Sequence, residues 1–587
     1  MAPIEEYRQR LAERQARVAD CDRTHVHLGN IRLGIGIAGA VLAYRVFVSG
    51  TLALHWIALP ILAFIPLAIF HERLLRKRAL AKRAAQFYER GIGRLEDRWQ
   101  GVGETGSRFQ DPQHVYADDI DLFGTGSLFQ LLSQARTRGG EEMLAGWLAS
   151  PAAAETVRAR QQQVAELREY LDLRETIFVL GEDARDAVNT THLLEWAEAP
   201  PLLRNRNLWM AAGVLTAAVV GSVVAAQWFG HKNLLVAALM LVVAFGFWLR
   251  PRVLAVITRI DEAVHDLGLL SSLMAILESH AFRGEASRAL QNTLRGTGAS
   301  EAIRKLHRLA EYIDSRDNVV VRAFGPPLLY GTHLAFAVEH WRARHGGHIR
   351  QWLAALSEFE ALLSIASYSH EHPADPFAEV VEEAGVAGVE LGHPLLPDSR
   401  CVRNSIRLDG SAPLLIVSGS NMSGKSTYLR TIGINVVLAM AGAPVRAQSL
   451  RLSPLQIGAS IRVTDSLQGG SSRFFAEITR LRKIVDLTAE RTPVLFLLDE
   501  LLNGTNSHDR ALGAEGILRE LLERKGMGLV TTHDLALTAI AQPLGASNIH
   551  FQDTLEAGNL RFDYKVRPGV VEKSNALELM RSIGLDV

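Results

Sequence analysis

Gly419-Ser420-Asn421-Met422-Ser423-Gly424-Lys425-Ser426 sets two glycines, a lysine and a hydroxyl at the spacing that surrounds a row of phosphates. Gly419 and Gly424 let backbone N–H groups turn inward on anionic oxygens, and the N-terminus of a following helix adds partial positive charge. Lys425 is placed to reach the outer phosphates, and the Ser426 hydroxyl to ligate Mg²⁺. Ser420, Asn421, Met422, Ser423 and Thr427 complete the lining of the loop. The apolar run 414–417 before it reads as a buried strand, and 427–440 after it as a helix, the context this loop requires. The expectation is a nucleoside triphosphate site using ATP and Mg²⁺.

Further along, Val494-Leu-Phe-Leu-Leu-Asp499-Glu500 reads as an apolar strand ending in two carboxylates. Asp499 stands where a metal-binding carboxylate belongs, and Glu500 where a base would orient or deprotonate the attacking water. A third strand, Leu529-Val-Thr-Thr, ends at His533, which is placed to contact the terminal phosphate. Lys425, Glu500 and His533 are the expected catalytic set, and Ser426 and Asp499 the Mg²⁺ ligands. The series describes an ABC-type ATPase core.

Asp499-Glu-Leu-Leu-Asn-Gly504-Thr505-Asn506-Ser507-His508-Asp509 resembles the DE-x-x-x-GT-x-x-x-D signature of the MutS mismatch-repair ATPases, and Asn421-Met422 with Gly424-Lys-Ser-Thr-Tyr428-Leu-Arg430 resembles their phosphate loop. Asp465-Ser-Leu467, Ser472-Arg-Phe474-Phe-Ala-Glu477, Gly392-His393-Pro394 and Lys565-Val-Arg-Pro568-Gly569 are similar too, in the family's order. The resemblance implies that Gly504, Thr505, Asn506 and Ser507 of one subunit close over ATP held by another, so that the working unit is a homodimer. A Gly-Thr-Asn-Ser turn opening a helix does offer N–H and hydroxyl donors to an anion. The stretch from Asp119 through Arg136, Gly139-Gly140, Trp147 and Arg160 resembles the start of the family's helical core. Trp352, Leu356, Phe359, Leu362 and Ile365 recur at helical spacing like its lever helix.

Two departures accompany this. The core-like region begins near residue 111, so the mismatch-reading and connector domains are expected to be missing. Phe87-Tyr88-Glu89 has the form of a base-stacking wedge, but lies in a basic helical stretch. Residues 254–350 show helical patterns and no β-rich clamp. The closing Ser574-Asn575-Ala576 also alters the family's Ser-Tyr-Gly.

Four apolar runs stand out instead, about 33–48, 52–70, 208–229 and 234–249, paired into two hairpins by the short links 49–51 and 230–233. Each is near the length that crosses a bilayer at about 1.5 Å per residue. Trp56, Trp209, Trp228 and Trp248 sit near run ends, as interfacial aromatics do. Arg73, Arg76, Lys77, Arg78, Lys82 and Arg83 follow the second run, Arg204 and Arg206 precede the third, and Arg250 and Arg252 follow the fourth. The positive-inside bias places both termini and the ATPase in the cytoplasm, in a multi-pass inner-membrane protein.

The expected fold class is multi-domain α plus α/β. Residues 1–110 hold an N-terminal helix, the first transmembrane hairpin and a basic stretch; 111–206 a helical core part; 207–252 the second hairpin; 253–375 a helical lever; and 376–587 the ATPase. With 63 Lys plus Arg against 63 Asp plus Glu, there is no global basic character to advertise nucleic acid. Cys21 and Cys401 are too few for a disulfide framework. The expected partners are a second copy, as the resemblance implies, and the bilayer, with DNA possible and any protein partner unknown. One reading couples the ATPase to DNA binding in mismatch repair or a related transaction. The alternative is an ATP-driven switch acting on a protein or lipid partner. The spans make the first prediction: the protein stays in the membrane pellet after carbonate or high-salt washing and leaves only with detergent. Release by carbonate rejects the hairpins as spans.

Overall fold

The structure is a computed structural model that describes residues 2–181, 190–263, 267–420, 422–462, 473–503, 507–556 and 559–571. The chain divides into two compact units. One comprises 1–134, 144–175 and 362–587, the other 135–143 and 176–361.

The first unit contains ten strands among its described residues: β1 (Glu379–Val380), β2 (Val386–Leu391), β3 (Asn404–Leu408), β4 (Leu414–Ser418), β5 (Ser449–Leu452), β6 (Gln456–Ser460), β7 (Val494–Leu498), β8 (Met527–Thr532), β9 (Ser547–Glu556) and β10 (Asn559–Pro568). A six-stranded sheet has the order β10-β9-β4-β8-β7-β6, parallel except for β10. A smaller sheet runs β1-β5-β2-β3. Every residue of β4, β7 and β8 is buried. This is why they read as unbroken apolar runs: a parallel sheet is covered on both faces. One face packs on Leu481, Ile484 and Val485 of the Arg473–Leu487 helix and on Leu518 and Leu521 of the Ser507–Glu523 helix. The Lys425–Ala441 helix also packs against the sheet. A Cβ at its Gly433 would lie 2.9 Å from Leu497 and 3.1 Å from Ile120, so only glycine permits that approach.

Segment 113–122 is part of this unit's core. The Val115 carbonyl accepts the Ala459 N–H of edge strand β6 at 2.8 Å. Buried Asp119 accepts the N–H groups of Ile461 and Arg462, each at 2.7 Å, and its carbonyl accepts Arg430 Nε at 2.9 Å. Burial holds the Asp119 carboxyl above its usual range, against those N–H donors and Arg480.

Two long helices, Pro3–Phe47 and Ala58–Leu95, run alongside one another. The first opens with Pro3 at a first-turn position and with Glu5 and Glu6, which suit the helix dipole. The polar N-terminal stretch and the first apolar run are thus one continuous helix. Near one end of the pair, Tyr7, Phe87 and Tyr88 are at most 2% exposed. Phe87 and Tyr88 are core residues and present no ring to a base. Arg94 grips Glu371 at 2.7 and 2.5 Å, and Tyr7 OH donates to the same carboxylate at 3.3 Å. Arg14 grips Glu175 at 2.7 and 2.9 Å, and Tyr88 OH donates to it at 2.5 Å. At the other end, Leu33, Ile37, Phe47, Ile61 and Leu62 are exposed.

The second unit is helical throughout its described residues. Its hairpin joins Arg206–Phe229 to Lys232–Ala263, with Gly230 at φ +74° closing the first helix as only glycine does readily. The fourth apolar run therefore continues through Pro251 in one helix. Glu360, fully buried, accepts the Arg136 and Thr137 N–H groups at 3.0 and 3.2 Å and the Thr137 hydroxyl. Gly139 and Gly140 are small because Ser357 and Glu360 fill the space a side chain would need. Helix Ile349–Glu371 carries the predicted lever residues.

Arg94→Leu leaves Glu371 buried without its cation, a loss of about 3–5 kcal/mol. The thermal midpoint of the purified protein should drop, while Arg8→Leu, which removes an exposed ion pair with Glu96, should scarcely move it. Equal midpoints for the two variants would contradict this clamp.

Candidate nucleotide site

Strand β4 delivers the phosphate loop at its carboxyl end, and the Lys425–Ala441 helix leaves it. Gly419 (φ +155°), Met422 (φ +72°) and Gly424 (φ +101°) bend the loop through backbone angles that ordinary residues avoid. A Cβ at Gly424 would lie 3.1 Å from Tyr564, and one at Gly419 2.8 Å from Ser423. Lys425 is buried and donates to the Gly419 and Ser420 carbonyls, both at 2.9 Å. Burial lowers its pKa, and Glu500 and Asp499 oppose that shift. Its ammonium is thus held inside the loop with one of three donors to spare.

Asp499, at the end of β7, accepts Ser426 Oγ at 2.6 Å on one oxygen and the Thr531 hydroxyl on the other. Thr531 in turn accepts the Glu500 N–H at 3.0 Å, with Glu500 at φ +50°. Both Glu500 oxygens are engaged: Asn503 Nδ2 donates to one at 2.8 Å, and His533 Nδ1 lies 3.3 Å from the other. The structure therefore brings Lys425, Ser426, Asp499, Glu500 and His533 to the carboxyl ends of three adjacent parallel strands. Ser420, Met422, Ser423 and Thr427 lie in the loop and first helical turn. Asn421, Gly504, Thr505 and Asn506 lie outside the described residues, as do 465–467, Ser472 and 574–576; Ser507 opens the Ser507–Glu523 helix.

Sequence reasoning missed Thr531 and Asn503. Thr531 carried a signal: with Thr532 it ends a strand that is otherwise apolar, two residues before His533. A cleft of about 980 Å³ opens beside the loop, lined among others by His393, Asn404, Tyr428, Phe551 and Tyr564. Burial takes His393 down to about 4, so it is neutral at ordinary pH.

The residues fit a Mg²⁺-nucleotide. Ser420 Oγ and Ser423 Oγ, both in the loop, are buried with no hydrogen-bond partner among the described residues, and phosphate oxygens bound by the loop would give them acceptors. The hydroxyl–carboxylate pair Ser426 and Asp499 is an all-oxygen set that suits Mg²⁺. Bound there, the ion would neutralise charge on the transferring phosphoryl group.

Residues 415–586 match the family model of MutS domain V. The chain is 39% identical over 195 residues to endonuclease MutS2 of Thermus thermophilus, covering 33% of this chain and 25% of that protein. It is 35% identical over 216 residues to DNA mismatch repair protein MutS 2 of Haloarcula marismortui, covering 36% and 23%. To DNA mismatch repair protein MutS of Natronomonas pharaonis it is 31% identical over 243 residues, covering 40% and 28%. The chain thus spans about a quarter of the length of these relatives. The likeness is thus one of the C-terminal region to MutS domain V and to MutS and MutS2 proteins, and the fold of the chain is mixed α/β and mostly helical.

The network generates a paired expectation. Glu500→Gln should cut ATP turnover about a hundredfold or more while ATP still binds. Lys425→Ala should weaken ATP binding about tenfold or more by removing a charged donor. Undiminished turnover in both variants rejects this site as the catalytic one.

Proposed function

We propose that this protein is a membrane-anchored MutS-type ATPase that binds and hydrolyses Mg²⁺-ATP at composite sites of a homodimer and couples the cycle to DNA binding in mismatch repair or a related DNA transaction. The observation that carries the ATPase reading is the continuous chain of hydrogen bonds from Ser426 through Asp499 and Thr531 to Glu500, ending at His533. Such a chain fixes a metal-side carboxylate and a water-side carboxylate relative to one backbone. In this reading Lys425 binds the phosphates, Asp499 and Ser426 hold the ion, and Glu500, oriented by Asn503 and His533, takes the proton of the attacking water. Gly504 to Ser507 serve the partner's nucleotide.

Anchoring is supported by the four helices long and apolar enough to cross a membrane, Pro3–Phe47, Leu54–Leu95, Arg206–Phe229 and Lys232–Ile260. Only 6% of the apolar window in each of the first two is buried, and 17% in each of the others, so core packing does not account for their composition. The flanking arginines orient them with the ATPase on the cytoplasmic face of the inner membrane. The domain order expected from the sequence, with hairpins at 33–70 and 208–249 around a helical core, belongs to this proposal.

The burial of Phe87 and Tyr88 favours the second reading, an ATP-driven switch acting on a protein or lipid partner without mispair recognition. DNA binding by the nanodisc-embedded protein, with and without ATP and across a salt series, separates the two. Nucleotide-dependent binding to perfect, mismatched, branched or single-stranded DNA that weakens steeply with salt supports the DNA role. No binding at low salt with ATPase intact overturns it.

A further inference from the structure

In the second unit, residues 316–332 interrupt the helical pattern with a short helix, Val319–Phe324, a 3₁₀ turn, Pro326–Leu328, and the left-handed Leu329 (φ +51°). This segment packs on the second hairpin. Leu329 is buried in one cluster with Ala212, Val219, Ala238 and Val242. The Thr216 hydroxyl donates to the Leu328 carbonyl at 3.2 Å and meets His333 Nε2 at 3.0 Å. Thr216 lies eight residues, about 12 Å of helix, beyond the start of the third apolar run at Leu208. A carbonyl at that depth in hydrocarbon must find a donor inside the protein; the Thr216 hydroxyl is within reach, shared with the Ala212 carbonyl of its own helix at 2.9 Å. On the segment's outer side Val319, Val320 and Phe324 are exposed, with Val319 at 81%.

Between the segment and the Lys232–Ala263 helix runs a slot of about 530 Å³. One wall is the helical stripe Leu239, Val243 and Phe247; the other is Val321, Pro326 and Leu329. Arg250, Arg316 and Arg322 also line it, and no carboxylate does among the described residues. From Leu239 to Arg250 is about 16 Å of helix, close to half of a hydrocarbon core of about 30 Å. The slot thus has an apolar arm about one leaflet long on one side of Arg250, and continues past Arg250 along Val253, Leu254 and Ile257.

We propose that this slot binds one anionic glycerophospholipid, an acyl chain lying along Leu239–Phe247 and the phosphate meeting Arg250 and Arg322. The proposal rests on the membrane reading above. It makes the segment 316–332 a half-inserted element of the cytoplasmic leaflet and ties the second unit to membrane composition as well as to the membrane.

The test is native mass spectrometry of the full-length protein released from nanodiscs containing phosphatidylglycerol and phosphatidylcholine. The wild type should retain one phosphatidylglycerol per chain against excess phosphatidylcholine. Arg250→Gln with Arg322→Gln should lower that retention about tenfold or more, given about 1 kcal/mol per arginine near a charged surface. Arg73→Gln with Arg76→Gln, which changes charge beside the other hairpin, should leave it unchanged. Val243→Trp, which fills the slot without altering charge, should displace the lipid too. A lipid-free mass, no headgroup preference, or equal loss in the Arg73 and Arg76 variant overturns the proposal. Carbonate extraction of the same membranes keeps the two readings apart: a protein that resists carbonate yet retains no phosphatidylglycerol loses only the lipid site.

Discussion

Glu371 is a carboxylate with no exposed side-chain surface, and it sits where the helix Ile349–Glu371 ends and the chain turns toward the sheets. Taking such a charge out of water costs several kcal/mol unless its oxygens are met by well-placed donors. Here they are met from far away in sequence: Arg94 supplies a two-pronged grip and Tyr7 a hydroxyl. That requirement fixes the register of both long helices at once, since Tyr7 belongs to the first and Arg94 to the second. Gly91 lets the Tyr7 ring lie against the second helix, where a Cβ would sit 2.4 Å from it. The Arg14–Glu175–Tyr88 cluster repeats the device about two helical turns along. Directional ion pairs set the angle of approach, and apolar packing fills in around them.

A similar economy operates at the carboxyl ends of the parallel strands. Asp499 is oriented by two hydroxyls, from Ser426 and Thr531, and neither carries a charge that would compete with a cation. Thr531 also holds the backbone of Glu500, so a shift of one carboxylate is felt by the other. The left-handed backbone at Glu500 belongs to this arrangement, because strained angles persist only where surroundings over-determine them. Lys425 is tied to two carbonyls of its own loop, which fixes its ammonium within the turn.

Much of this was legible in the sequence because it is local. The phosphate loop, the apolar strands 414–417 and 494–498 and the carboxylate pair each occupy a few consecutive residues, and their order along the chain carries the sheet topology. What was not legible is non-local. Nothing around Glu371, Glu175 or Glu360 announces burial, since their partners stand 277, 161 and 224 residues away. Asp119 looked like one of several acids in Asp118-Asp119-Ile-Asp121, yet it alone receives two backbone N–H groups of the sheet edge. The Phe-Tyr-Glu pattern at 87–89 had the residues of a wedge and the location of a core. Segment 316–332 was hidden by its shortness: a six-residue apolar helix gives no periodicity to read.

The apolar surface of the first hairpin sets the last constraint. Leu33, Ile37, Val41, Phe47, Leu54, Leu59, Ile61, Leu62, Ile65, Ile69 and Phe70 are all exposed. At about 1.5–3 kcal/mol for each large side chain moved fully out of water, and with these side chains 49–71% exposed, transfer of that surface into hydrocarbon is worth on the order of ten to twenty kcal/mol. A whole domain is held together by about 5–15 kcal/mol. The gain from covering these helices is therefore at least comparable with the margin by which a domain is folded. In the membrane reading, the ionic clamps at Glu371 and Glu175 are what let a sheet-based ATPase and a lipid-facing hairpin share one unit. They are specific, buried and polar, and bilayer insertion offers nothing that replaces them.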